Sequence, residues 1–203
     1  MEEKKIFFAA NKIRIEGLLS QSPGEAAMIV THPHPLYGGN MYNNVVESVI
    51  KAYNQAGYTT LRFNFRGVGQ SGGSHASGQA EQEDVLGAIH YLNSLNKTSI
   101  NLIGYSFGAW VIALGINRFP NISRAGMISP PVNFIDFGFQ GHTPKLHLVI
   151  TGSQDEFSPP AMLKEMLPAW NPDAKFKIIQ GADHFYLGKT EEIEEIIQDF
   201  LHQ

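Results

Sequence analysis

Ser106 stands in Gly104-Tyr105-Ser106-Phe107-Gly108, behind the apolar stretch Ile100-Asn101-Leu102-Ile103 and ahead of the apolar run from Phe107 to Ile116. A serine between two glycines at a strand–turn–helix junction has a mechanical meaning. The turn is so tight that the serine backbone is strained, and side chains at the two flanking positions would collide with neighbouring backbone. What stands clear is a hydroxyl at the end of a strand, with the following N–H at a helix N-terminus. A serine hydroxyl is a poor nucleophile at neutral pH, so it requires a base, and the base requires a carboxylate to orient it. The oxyanion formed on attack requires two N–H donors fixed in advance. The chemistry on offer is acyl transfer through serine.

The elements around this turn follow from the apolar pattern. Ile6 to Ala9 and the alternating Ile13, Ile15, Gly17 and Leu19 read as a hairpin. Short apolar runs at Ala27 to Thr31, Thr59 to Phe65, Ile100 to Gly104, Ala125 to Ile128, Leu146 to Ile150 and Phe176 to Ile179 read as six further strands. Helices are expected at Val45 to Tyr53, Val85 to Leu95, Phe107 to Ile116, Ala161 to Leu167 and Glu191 to Leu201. Gly57 suits the cap of the first, and Glu81, Glu83 and Asp84 complement the dipole of the second. Continuous apolar strands alternating with helices imply a mostly parallel sheet covered on both faces. Ligands in such folds sit beyond the carboxyl ends of the strands, so the chemistry belongs to the loops that follow them.

Two of those loops carry the partners Ser106 needs. Leu146 to Ile150 runs into Thr151-Gly152-Ser153-Gln154-Asp155, and Phe176 to Ile179 runs into Gln180-Gly181-Ala182-Asp183-His184. The order Ser106, Asp155, His184 is that of serine, acid and base in one particular fold. Other acids sit less well. Asp84 and Asp199 lie within helices, and Asp173 precedes a strand. Glu156 is adjacent to Asp155 and Asp183 to His184, whereas Asp136 follows another strand end and stays an alternative acid. His75, His90, His142, His147 and His202 read as solvated or packed residues.

Phe107, directly after the serine, supplies one oxyanion N–H. The other belongs on the loop His32-Pro33-His34-Pro35-Leu36-Tyr37-Gly38-Gly39, whose prolines have no N–H. His34 is the first choice by position and Leu36 the second. The His32/His34 pair could instead bind metal, but it lacks a companion cluster of carboxylates or thiols. Gly67-Val68-Gly69-Gln70-Ser71-Gly72 fits G-x-G-x-x-G after a strand, yet no helix opens on its third glycine and no acid ends a following strand. Dinucleotide binding is therefore not expected, and neither a cofactor nor a metal is required.

Composition narrows the partners. The 203 residues carry Lys+Arg 15 against Asp+Glu 19 and a net charge of −4. No dense basic face is available for nucleic acid or an anionic membrane. Zero Cys removes disulfides, thiolate metal sites and cysteine nucleophiles. No apolar run approaches a membrane span, and the N-terminal apolar stretch is too short for a secretory signal. The expectation is one cytoplasmic domain over residues 1–203 acting on a small molecule, with the oligomeric state unread.

Taken together these motifs resemble the α/β-hydrolase fold over nearly the whole chain. Asn64-Phe65-Arg66-Gly67-Val68-Gly69-Gln70-Ser71 resembles the "RGxGxS" loop of that family, although Asn64 replaces a frequent Asp. The His32–Gly39 loop resembles that of small bacterial hydrolases, most of them identified only as esterases or hydrolases, and similar to dienelactone hydrolases. The nucleophile in the latter is cysteine, whereas here it is Ser106. The resemblance implies an eight-stranded, mostly parallel sheet with an N-terminal antiparallel hairpin, helices on both faces and no lid domain. It also implies Ser106, Asp155 and His184 as catalytic triad and the Phe107 and His34 amides as oxyanion hole. The implied activity is a cofactor-free serine hydrolase cleaving carboxylic esters, with thioesters or small amides as alternatives and a non-catalytic binding protein as the contrasting class. Lids of this fold are commonly inserted between the strands ending near Ile128 and starting near Leu146, an interval too short here for a helical lid. Phe134, Phe137 and Phe139 in that interval could lie over the cleft or pack beneath the loop. Leu36, Tyr37, Phe134 and Phe137 are the candidate substrate contacts.

Overall fold

A computed structural model describes residues 2–138 and 141–202. The first strands, β1 (Lys4–Ala10) and β2 (Ile13–Ser20), form an antiparallel hairpin turned at Asn11, which takes the left-handed conformation asparagine tolerates. Then follow β3 (Ala26–Thr31), α1 (Asn44–Gln55), β4 (Thr59–Phe63), α2 (Glu81–Ser94), β5 (Ser99–Tyr105) and α3 (Phe107–Gly115). The chain closes with β6 (Ile122–Ile128), β7 (Leu146–Gly152), α4 (Pro160–Trp170), β8 (Lys175–Ile179) and α5 (Thr190–Leu201). All eight strands join one sheet in the order β1-β2-β4-β3-β5-β6-β7-β8. β3 to β8 are parallel to one another, and only β2 runs against its neighbours.

Why the helices divide between the faces is visible in their apolar stripes. Val45, Val49, Ala52 and Tyr53 of α1 and Ile193, Ile197 and Phe200 of α5 pack on one face with Met28, Val30, Ile103 and Ile150 of the sheet. Val85, Ala88, Ile89 and Leu92 of α2, Val111 and Ile112 of α3, and Leu163 and Leu167 of α4 pack on the other with Ile29, Leu61, Leu102 and Val149. β5 holds the middle of the sheet and α3 is buried along most of its length, so the turn between them rests on rigid structure.

The expected elements are all present, with shifted ends. β4 stops at Phe63, not Phe65, because the Phe65 N–H donates to His32 Nε2 instead of continuing a strand ladder. α2 opens at Glu81, where the buried carboxylate accepts the Ala76 and Gly78 N–H groups and so fixes the loop before the helix. A one-turn 3-10 helix, Pro35–Tyr37, interrupts what reads as loop. Among the described residues no helix lies between β6 and β7, as expected of a lidless chain.

Candidate active site

The backbone of Ser106 takes φ 54° and ψ −116°, a strained combination for a residue with a side chain. The flanking glycines have steric causes. A Cβ on Gly104 would lie 2.6 Å from the Ala109 nitrogen, and one on Gly108 would lie 2.5 Å from both Thr31 oxygens. The Ser106 N–H donates to Ile128 O at 2.9 Å, which ties the turn to the end of β6. Phe107 opens α3, so its N–H has no carbonyl four residues back within the helix to bond.

His184 and Asp155 come together on this serine. His184 Nε2 lies 2.9 Å from Ser106 Oγ, and His184 Nδ1 lies 3.0 Å from each oxygen of Asp155. All three side chains are almost fully buried. Asp155 Oδ1 also accepts the Phe157 and Ser158 N–H groups at 3.0 and 2.9 Å. Burial alone would raise the Asp155 pKa. The bonds from His184, Ser129 and Ser158 outweigh that and hold the carboxyl below its ordinary value. The pair is therefore built as a charged acceptor behind an imidazole whose outer nitrogen faces a hydroxyl.

The rival acids are occupied elsewhere. Asp136 is exposed and accepts the Gly138 N–H, Asp183 accepts the Phe185 and Tyr186 N–H groups in its own turn, and Asp84 is clamped by Arg66. Sequence reasoning missed two hydroxyls behind the acid. Ser129 Oγ donates to Asp155 Oδ2 at 2.5 Å and lies 2.7 Å from the Tyr186 hydroxyl. Because the single Ser129 proton is committed to Asp155, the phenol must be the donor in the second contact. Both residues sit at positive φ, 46° and 55°, and burial pushes the Tyr186 phenol up, keeping it protonated. The one signal available was position: Ser129 directly follows the last residue of β6.

On the opposite flank, His32 is fully buried, with Nδ1–H donating to Pro33 O at 2.7 Å and Nε2 accepting the Phe65 N–H at 3.0 Å. Burial and the neighbouring His34 push its pKa down to about 4 against the opposing Pro33 bond, so it is a neutral structural pin. With both ring nitrogens committed, His32 cannot serve the metal alternative. The Leu36 N–H donates to His34 Nδ1 at 3.2 Å, and that spends the second-choice oxyanion donor. The His34 ring packs on the Phe107 ring at 4.9 Å between centroids, bringing the two candidate donor residues side by side. His34 itself is held below the usual imidazole range by burial and by His75 beside it, with Glu81 opposing.

The Gly67-Val68-Gly69 stretch also resolves into structure. A Cβ on Gly69 would come within 2.5 Å of Asn64 Nδ2 and of Glu16 Oε2. Asn64 donates to Glu16 Oε2 at 3.0 Å and accepts the Met41 N–H at 2.9 Å. An aspartate at position 64 would face the Glu16 carboxylate without that donor, and this explains the departure from the family pattern.

The candidate substrate contacts divide. Leu36 and Tyr37 are 73% and 88% exposed, and Leu36 borders a groove of about 460 Å³ that runs past Gly38, Gly39, Gly69 and His75. Tyr37 packs on His34. Phe134 is 65% exposed and stacks on Phe157, which in turn packs on His184. Phe137 is a correction. It is 1% exposed and wedged between Trp110 and Trp170, so it belongs to the core and not to the cleft. Phe139 lies outside the described residues.

Comparison with known proteins agrees with this architecture. A family profile described as alpha/beta hydrolase fold matches residues 34–137. An uncharacterized protein of Rickettsia prowazekii is 39% identical over 209 residues, covering 97% of this chain and 88% of its own. An alpha-beta serine hydrolase homologue from Coxiella burnetii superposes with a TM-score of 0.90 at 30% identity, covering 99% of this chain and 98% of that one. A serine hydrolase without a lid from Xanthomonas campestris gives a TM-score of 0.87 at 26% identity, over 100% and 94% of the two chains. No helix among the described residues is long and apolar enough to cross a membrane. With the fold, the profile and the relatives in agreement, this chain belongs to the α/β-hydrolase family and is a hydrolase.

Proposed function

We propose that the chain is a serine esterase acting on carboxylic esters of small molecules. The observation that carries this reading is the hydrogen-bonded series Ser106 Oγ, His184 Nε2 and Nδ1, and Asp155. In it Ser106 attacks the acyl carbon while His184 Nε2 takes the hydroxyl proton. Asp155 holds the Nδ1–H tautomer and stabilises the imidazolium, without itself taking the proton. The Phe107 and His34 N–H groups accommodate the oxyanion, a contribution typically worth 10² to 10³ in rate for each donor. His184 then protonates the departing oxygen, and water releases the acyl group by the same route in reverse. The serine hydrolase relatives from Coxiella burnetii and Xanthomonas campestris support the same chemistry here.

Substrate size follows from the absence of a helix between β6 and β7 among the described residues. An open cleft can bury only a few acyl carbons, each methylene adding roughly 0.8 kcal/mol when fully buried. Short acyl chains of roughly two to six carbons are therefore favoured, because only those carbons find a wall. The test is a panel of p-nitrophenyl esters of increasing acyl length, run beside thioester and anilide analogues. The reading predicts a kcat/KM maximum among short esters. A kcat/KM that climbs through long chains, or is highest for thioesters or anilides, contradicts it.

A further inference from the structure

Resting on the esterase reading, the aromatic side chains around His184 name the class of alcohol. Deprotonated attack and product departure both pass through one atom. When the acyl carbon–oxygen bond breaks, its electron pair goes to the leaving oxygen, the acyl group stays on Ser106 Oγ, and His184 Nε2 gives up its proton to that oxygen. The oxygen must then come within about 3 Å of Nε2. Whatever the oxygen carries begins one bond further out, among the rings that border the imidazole.

Those rings form a continuous surface. Phe157 lies against the His184 ring with centroids 4.6 Å apart and planes 32° apart. Phe185 meets the same imidazole edge-on at 5.7 Å and 89°. Phe134 extends the surface outward, stacked on Phe157 at 4.5 Å and 23°. Phe134 and Phe185 stay 65% and 55% exposed, whereas Phe137, the other described phenylalanine of the loop after β6, packs inward. The carbonyl oxygen is drawn to the other flank, toward Phe107 and His34, so the rings do not compete with it. Offset and edge-to-face contacts at these spacings favour an aromatic partner over an alkyl one of similar size.

We propose that Phe134, Phe157 and Phe185 form a leaving-group subsite for aromatic alcohols, so that the preferred substrates are short-chain acyl esters of phenolic or benzylic alcohols. The two exposed rings can be removed without opening the core. The experiment measures kcat/KM by proton release for benzyl acetate, ethyl acetate and ethyl phenylacetate in the wild type, Phe134→Ala and Phe185→Ala. Ethyl phenylacetate carries the same ring on the acyl side. Each variant should lower the benzyl-to-ethyl acetate ratio roughly fivefold while the phenylacetate-to-acetate ratio stays at its wild-type value. Partial unfolding of a variant cancels in both ratios. Ile178→Ala, an exposed apolar residue on β8, should change neither. Variants that leave the benzyl ratio at its wild-type value, where the wild type hydrolyses these esters, would overturn the subsite alone, and a fall confined to the phenylacetate ratio would move the rings to the acyl side. A wild type that hydrolyses none of the three and resists serine-directed phosphonates would overturn the esterase reading, and the subsite with it.

Discussion

The two flanks of the cleft use histidine in opposite ways. After β7 and β8, His184 sits between a hydroxyl and a carboxylate held below its ordinary pKa. After β3, His32 is equally buried but bonded only to backbone, with its pKa pushed down to about 4. One flank sets a charged carboxylate against the imidazole, and the other keeps the imidazole neutral and ties two loops together. The residue type does not decide the role. The presence or absence of a carboxylate against Nδ1 does.

The largest effect should come from removing that carboxylate. Asp155→Asn should lower kcat by roughly 10⁴, because an amide no longer fixes the tautomer or supports the imidazolium. Asp136→Asn, at an exposed side chain bonded within its own loop, should leave kcat within about twofold, as for ordinary surface changes. A reversal of the two effects in steady-state assays would transfer the acid to the loop after β6.

The opposite flank should be read through stability. Because the folded-state pKa of His32 lies near 4 against 6.5 for an ordinary imidazole, the unfolded chain takes up the proton first on acidification. Its contribution is complete above pH 6.5 and disappears as the pH falls toward 4, a loss of about 3 kcal/mol across the window. Asp155, with a lowered pKa, keeps its contribution until the pH falls through its own depressed value, and so it fails later. Urea midpoints across this range should fall for the wild type and flatten for His32→Gln. Equal slopes in the two proteins would remove His32 from the role of neutral pin.

The smallest effect sharpens the acid's side. Ser129→Ala removes the shortest bond to Asp155 and strands the Tyr186 hydroxyl, and should lower kcat roughly tenfold with little change in KM. Tyr186→Phe should cost less, since the phenol reaches Asp155 only through Ser129. Ser129→Thr keeps the hydroxyl and should restore most of the rate if it fits the left-handed backbone. A merely structural role for Ser129 would show as lost stability with kcat per folded molecule unchanged.

What could be read from the sequence follows the physics of each element. Ser106, Asp155 and His184 were legible because each stands on the loop after an apolar strand, and parallel strands deliver those loops to one edge. His34 stands out in the sequence as the first-choice donor because Pro33 and Pro35 exclude themselves, and the structure packs its ring on Phe107. Ser129 and Tyr186 were not legible, since a serine after a strand and a tyrosine in a turn carry no periodic signal, and their meeting depends on two left-handed turns. Phe134 and Phe137 could not be separated because a spacing of three residues fixes a face only within a helix, and this segment is irregular. Asn64 stood out as a departure, but its cause, Glu16, lies on a strand 48 residues earlier.

The central claim is that Ser106 is a nucleophile activated by His184. Incubation of the purified protein with a fluorophosphonate, followed by intact mass and peptide mapping, tests it in one step. The account predicts a single stoichiometric adduct on Ser106, slowed by orders of magnitude in Asp155→Asn and absent in Ser106→Ala. A folded wild-type protein that acquires no adduct, or acquires it on another residue, would contradict the account.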